Sequence, residues 1–284
     1  MTAVLQKLLT RDAARRITHS GAGHVEGPVV GAGDFAAATP AQMADAYGLD
    51  PAALGLDAFG YVDLLRFRTH DLMNLQTPAA VGPQPWPTYD MGFLRDGAPV
   101  WWLERTRIPM GAEYWRIRAD GTQQHLSTYA SPALGWSGAR SYRPPVDLVG
   151  TRAVFRGRDL PAELTPERDR VEVVLVGAAA EGAEGFEDLE EVRPGVRRLL
   201  VGLGECERFY DLVVAARWRG QQVRVLEQDG TSARLELTVA TAPAVERLGA
   251  TEVEPGCFEV VAPRAELVEL EARERSLPGA VAAE

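Results

Sequence analysis

Apolar and polar side chains alternate along several stretches of this chain, and a period of two marks strands that bury one face. The pattern is clearest from Gln222 to Val239. Val223 and Val225 share one face, Leu235, Leu237 and Val239 share another, and Arg234 and Glu236 stand opposite. Asp229-Gly230 between the two runs is a hairpin turn. Thr241 to Leu248 reads as a short helix stopped by Gly249, and Glu254-Pro255-Gly256-Cys257 as a type II turn before another strand. Upstream, Val171 to Val176 matches the returning strand of this series, and Arg193-Pro194-Gly195-Val196 matches its turn.

The N-terminal half carries weaker patterns. Val4, Leu5, Leu8 and Leu9 form an apolar stripe that predicts a helix over Ala3 to Arg16. Ser20 to Gly33 is glycine-rich and reads as loop. Thr39-Pro40 opens a helix that stops at Gly48. Tyr61 to Phe67, Pro99 to Arg105, Glu113 to Arg118 and Gln123 to Tyr129 read as strands by their aromatic and β-branched content, and Asp120-Gly121 joins the last two. A proline-rich stretch, Thr77 to Thr88, interrupts them.

Two short motifs recur in order. Ala153-Val154-Phe155-Arg156-Gly157 returns as Ala216-Arg217-Trp218-Arg219-Gly220. Glu191-Val192-Arg193-Pro194-Gly195 returns as Glu252-Val253-Glu254-Pro255-Gly256. The offsets are 63 and 61 residues, which indicates a duplicated unit. The expected architecture is mainly β, α+β overall: a β-rich N-terminal domain followed by two tandem small SH3-like barrel-type repeats. The expected boundaries are a peripheral helical segment over 1–57, a β-rich aromatic domain over 58–149, repeats over 150–211 and 212–272, and a tail over 273–284. The two repeats should superpose.

Composition narrows the function. The chain has 284 residues, 46% hydrophobic and 25% charged, with net charge −10. Residues 1–150 hold 13 basic and 14 acidic side chains, and residues 151–284 hold 17 and 26, so the excess acid lies in the repeat half. Such a surface repels phosphate backbones, which argues against nucleic acid and suits a basic protein partner. All basic residues but Lys7 are arginine, the bias of a GC-rich, bacterial genome. No stretch approaches the roughly 18 uninterrupted apolar residues of a membrane span. Met1 to Ser20 lacks the apolar core of a secretory signal, so a soluble, cytoplasmic protein is expected. Cys206 and Cys257 fall in slots that hold Leu267 and Val196 in the other copy, which reads as buried hydrophobes rather than metal ligands. No metal and no cofactor are expected.

No catalytic signature is present. Gly31-Ala32-Gly33-Asp34-Phe35-Ala36 has the letters of a dinucleotide-binding turn, but the strand before it is short and the helix after it would have to pass Thr39-Pro40, so it reads as a loop. Histidines and tryptophans concentrate before residue 150. The candidate pocket there is Arg66, His70, Arg105, Glu113, Arg116 and His125, with arginine to clamp a phosphate or carboxylate and Glu113 or His125 as acid or base. Pro109-Met110-Gly111-Ala112, then Arg116, Gly121 and Leu126-Ser127, loosely resembles the core of the tuberculosis-necrotizing-toxin type of NAD glycohydrolase domain. Over about 20 residues, that resemblance implies NAD cleavage in a basic, polar nicotinamide pocket. Two functions follow. One is a non-catalytic protein-interaction or adaptor protein, such as a bacterial toxin-neutralising protein, whose candidate surface is Glu184, Glu187, Asp188, Glu190 and Glu191. The alternative is an enzyme with a nucleotide, NAD-like small-molecule pocket in residues 59–149.

Overall fold

A computed structural model describes residues 3–35, 37, 39–77, 92–146, 148–181 and 186–276. The chain is mainly β and forms two curled antiparallel sheets. The first contains β1 (Val4–Leu9), β2 (His24–Gly31), β3 (Tyr61–Arg68), β4 (Leu75–Gln76), β5 (Val100–Arg107), β6 (Glu113–Arg118), β7 (Gln123–Ser131) and β8 (Gly135–Trp136). Their order across the sheet is β4-β5-β2-β1-β3-β6-β7-β8. Helix α1 (Arg11–Ser20) covers one face, and α2 (Pro40–Tyr47), α3 (Pro51–Leu54) and α4 (Leu56–Phe59) lie beside the other. Helix α2 has the expected limits: Thr39 and Gln42 form a capping box, and Gly48 closes it at φ 60°.

The helix predicted over Ala3 to Arg16 is corrected. Its first half is β1, and the helix proper begins after Thr10, whose Oγ1 accepts from the Ala13 amide. The reason is burial on both faces: Leu5 and Leu9 enter one core and Leu8 the other, so the apolar stripe imitates a helix. The loop expected over Ser20 to Gly33 is also corrected. β2 runs through it with Val29 and Val30 fully buried. β1 pairs with β2 only through Leu5↔Gly31 and Gln6↔Val30, and Pro28 lies beyond that ladder. These two strands sit at the centre of the sheet, so residues 4–31 are not a periphery. Most of the proline-rich stretch, including Trp86, lies outside the described residues.

The second sheet is built from β9 (Val149–Phe155), β10 (Arg158–Leu164), β11 (Arg170–Val176), α5 (Ala178–Glu181), β12 (Glu190–Arg193), β13 (Val196–Gly202) and a 3₁₀ turn (Leu203–Glu205). It continues through β14 (Arg208–Trp218), β15 (Gln221–Gln228), β16 (Ser232–Leu237), α6 (Ala242–Leu248), β17 (Thr251–Glu254), β18 (Cys257–Pro263), a second 3₁₀ turn (Arg264–Glu266) and β19 (Val268–Ser276). The order hairpin, strand, helix, hairpin, 3₁₀ turn, strand therefore occurs from β9 to β14 and again from β14 to β19. The long β14 belongs to both units: its first half pairs with β9 and its second half with β15. Each unit has its own core, one around Val171, Val173, Cys206 and Phe209, the other around Trp218, Val225, Leu235 and Leu267.

The Arg-Gly motifs are hairpin turns. Arg156 and Gly157 have φ 50° and 71°, and Arg219 and Gly220 have φ 47° and 78°. Both joins are two-residue loops, closing Phe155↔Arg158 and Trp218↔Gln221. Two positive φ values in sequence define a type I′ turn. The expected cost of Gly157→Ala or Gly220→Ala is about 1 kcal/mol, although nothing crowds either position. Arg219→Asn, which tolerates positive φ better, is expected to raise the melting temperature slightly. Thermal melts of the three variants check this.

Candidate functional site

The six candidate pocket residues do not converge. Arg66, Glu113 and His125 gather around Trp115 on a half-exposed sheet face. The Arg66 guanidinium and the His125 ring each lie 5.2 Å from that ring's centroid, and the indole Nε1 donates to Glu113 Oε2 at 2.9 Å. Arg116 points to the opposite face, where Asp63 accepts its Nε and Nη2 at 2.8 and 3.0 Å. There it lines an open groove of about 310 Å³ with Tyr114, Leu126 and Trp136. His70 is buried beyond the end of β3, and burial, aided by Arg168, pushes its imidazole down to about 4. Its Nδ1 accepts from the Leu72 amide. Arg105 lies elsewhere, in the contact between the two sheets. Gly31 ends β2, Gly33 lies in the turn after it, and the next helix begins only at Pro40.

Around Arg105 lies a buried ionic cluster. Its guanidinium meets Glu26 at 2.6 Å and Glu259, and its Nε is 4.0 Å from Glu236. Lys7 Nζ is 3.3 Å from Glu254 Oε2, close enough for an ion pair though not aligned as a hydrogen bond. Arg16 adds a bond to the Val253 carbonyl at 2.6 Å. Arg234 joins Glu259 and Glu227, and Arg224 joins Glu104 and Glu236. A cavity of about 60 Å³ sits among Lys7, His24, Glu26, Arg105, Arg234 and Glu254. Burial pushes Glu236 up to about 7 and also raises Glu254. Burial raises Glu259 as well, but Arg105 and Arg234 more than offset it and hold that carboxyl below its ordinary range. Burial, then Arg107 and Arg105, drive the His24 imidazole well down.

The cluster has a counterpart in the other unit. Matching the units by strand pairing, Glu172 corresponds to Arg234, Val174 to Glu236, Arg193 to Glu254, Val196 to Cys257 and Arg198 to Glu259. All five positions in both units face the N-terminal sheet or flank that contact. In the β9–β14 unit, Val174 and Val196 pack on Ala133, Glu172 accepts the Ala133 amide, and Arg193 donates to the Leu134 carbonyl over the Tyr142 ring. In the β14–β19 unit, Cys257 enters the N-terminal core beside Leu8 and Val30, and Glu254 takes Lys7 and Arg16. Charge is inverted at three of the five positions, each time in register with what it touches.

A second group of buried residues joins the β9–β14 unit to β5. Arg107 is fully buried and donates to the carbonyls of Thr151 at 2.9 Å, Ala162 at 2.7 Å and Val149 at 3.4 Å. Glu163 beside it accepts from Thr151 Oγ1 and the Leu164 amide, yet burial pushes its carboxyl up to about 7. A folded pKa above the unfolded value means the folded state holds its proton longer. This contribution to stability is full below about pH 4.5 and declines as pH rises through about 7. Glu163→Gln is expected to flatten that slope, a difference of about 2–3 kcal/mol between the ends of the window. Urea titrations of both proteins at pH 5 and pH 8 (~5 and ~8) check it.

Of the candidate acidic surface, Glu184 lies outside the described residues. Glu187, Asp188, Glu190 and Glu191 are exposed along or just before β12, the end strand of the second sheet. Arg198 reaches Glu190 at 2.8 Å, and Arg197 reaches Glu191 at 3.7 Å. Both cysteines are buried thiols, and burial pushes Cys206 up to about 11. Among the described residues, no group of His, Cys, Asp and Glu could hold a metal ion, and no helix is long and apolar enough to cross a membrane.

In the sequence Arg105 reads as a pocket residue, and nothing marks Lys7, Arg107, Glu26 or Glu259 as members of one cluster. One signal was available: the two turn motifs, Glu-Val-Arg-Pro-Gly and Glu-Val-Glu-Pro-Gly, differ only at Arg193 and Glu254, the residues that dock. No protein-family model matches this chain, and no curated relative and no solved structure is similar to it.

Proposed function

We propose that this is a non-catalytic protein-interaction module, built from a β-rich N-terminal domain and two copies of a duplicated SH3-like barrel, and acting in the bacterial cytoplasm. In place of boundaries at 57, 149 and 211, we take the first domain as β1 to β8 and the copies as β9 to β14 and β14 to β19, which share β14. The observation that carries the reading is where the titratable groups go. Arg105, Arg107, Glu163, Glu254 and Glu259 are spent on joining the units, and the six residues expected to form a reactive pocket are dispersed. What remains is surface. On it, β12 offers an acidic sheet edge suited to a basic partner, for which a toxin-neutralising role is one form. Capture of partners from the native host tests this. A variant carrying Glu187→Gln, Asp188→Asn, Glu190→Gln and Glu191→Gln should lose a partner that the unaltered protein retains. Retention of every partner by the variant would refute the acidic surface.

The groove beside Tyr114, Arg116 and Trp136 supports the second reading, a small-molecule pocket in residues 59–149, because its volume reaches the lower range of ligand sites. A rise in melting temperature with NAD, lost in Arg116→Ala, would favour it.

A further inference from the structure

The strand β19 differs from its counterpart in one respect. The first half of β14 closes the β9–β14 unit against β9 on one edge, and its other edge is occupied by β19. β19 itself pairs with β14 alone among the described residues. Residues 268 to 274 are exposed at every position, including Val268 and Leu270, each about half accessible. An uncovered strand edge carries a row of free amides and carbonyls, a template for one more strand.

The sequence of this edge says which strand fits. It reads Val268-Glu269-Leu270-Glu271-Ala272-Arg273-Glu274-Arg275-Ser276, with Glu269 and Glu271 before Ala272 and Arg273 and Arg275 after it at matching distances, and Glu274, which pairs with Arg208, between the two arginines. A strand paired antiparallel with its own copy must centre on one residue, because opposed residues share the same hydrogen-bonding phase. Centring on Glu271 opposes two glutamates, and centring on Arg273 opposes two arginines. Centring on Leu270 opposes Glu269 to Glu271, and on Glu274 opposes Arg273 to Arg275. Centring on Ala272 alone sets Glu271 against Arg273 of the other copy twice, while Glu269 and Arg275 keep their partners Arg217 and Glu104 within each chain. Glu271 and Arg273 are more than 60% exposed and pair with each other at 2.9 Å within the strand. Glu269, at φ 53°, is a bulge that ends the regular pairing.

We infer that two copies of this chain associate through β19, antiparallel about a two-fold axis at Ala272, joining their second sheets into one. The contact is isologous. A single strand pair of about 24 Å is a small interface, so the dimer is expected to dissociate in the micromolar range.

Sedimentation of the full chain between ~1 and ~200 µM tests this. The expected result is a reversible monomer–dimer equilibrium. Glu271→Arg and Arg273→Glu each place like charges in opposition, and each is expected to weaken the dimer about tenfold or more. An equimolar mixture of the two variants restores opposite charges at both crossings and is expected to form a heterodimer as tight as the unaltered homodimer. Neither change touches a buried group, so the melting temperature of the monomer should hold in both. A chain that stays monomeric throughout, a dimer indifferent to both substitutions, or single variants that fail to pair on mixing would each overturn the inference.

Discussion

Arg105→Ala is expected to destabilise the protein by about 3–5 kcal/mol at pH 7.5 (~7.5), among the largest effects of any single change outside the apolar cores. The side chain is only 9% exposed, and it is the shared cation of Glu26, Glu236 and Glu259. Removing one member of a buried ionic group leaves the others desolvated without compensation, which costs more than the intact group contributes. Acid should relieve the loss. Without the guanidinium Glu236, already raised by burial, rises further and Glu259 loses the cation that lowers it, so both protonate as pH falls, and the deficit should shrink markedly by about pH 5. Urea unfolding at both pH values measures it. A deficit under about 1 kcal/mol, or one that does not change with pH, would show that the cluster is solvated.

Arg107→Met is expected to cost a similar amount, about 3–5 kcal/mol, by a different route. The methionine keeps much of the volume but takes the guanidinium from the carbonyls of Thr151, Ala162 and Val149, leaving Ala162 only the Thr151 hydroxyl as a side-chain donor, inside the contact between β5 and the β9–β10 hairpin. Buried carbonyls that lose a charged donor pay their full desolvation cost. Arg107→Lys should recover little, because one ammonium on a flexible stem cannot span three carbonyls that the planar guanidinium reaches together. Gly150 shows how close the approach is: a Cβ there would lie 3.1 Å from Arg107 Cβ, at a φ of 96°. Hydrogen exchange should report the loss locally, with amides of 149–164 exchanging faster than those of β15 and β16. Uniform protection in Arg107→Met would contradict this.

Local signals carried much of the fold. Strands from Tyr61, Glu113 and Gln123 and the helices after Thr39 and Thr241 were legible because each combines a period with a start or stop residue that acts within a few positions. β1 and β2 were not, for opposite reasons. β1 is buried on both faces and loses its alternation, while β2 hides its buried valines behind Gly27 and Pro28. The contact between the sheets was illegible because its pairs are long-range. Nothing near Lys7 in sequence announces Glu254, although a lone lysine inside Val-Leu-Gln-Lys-Leu-Leu is itself a sign that an anion must be supplied from elsewhere. Arg105 drew notice for its charge, but an arginine in a strand does not say whether its partner is a ligand or a distant glutamate.

The β14–β19 unit holds the N-terminal sheet through a charge pattern inverted relative to the unit before it, and the pair Lys7 and Glu254 is the sharpest probe of that pattern. Both side chains are almost wholly buried. In a double-mutant cycle of Lys7→Met and Glu254→Gln, each single change should cost about 3 kcal/mol by taking from the other charge its nearest partner, with Arg16 left at 3.5 Å from Glu254, while the double variant returns to within about 1 kcal/mol of the unaltered protein. Losses that simply add would mean the two charges do not hold one another, and that the docking face works by shape alone.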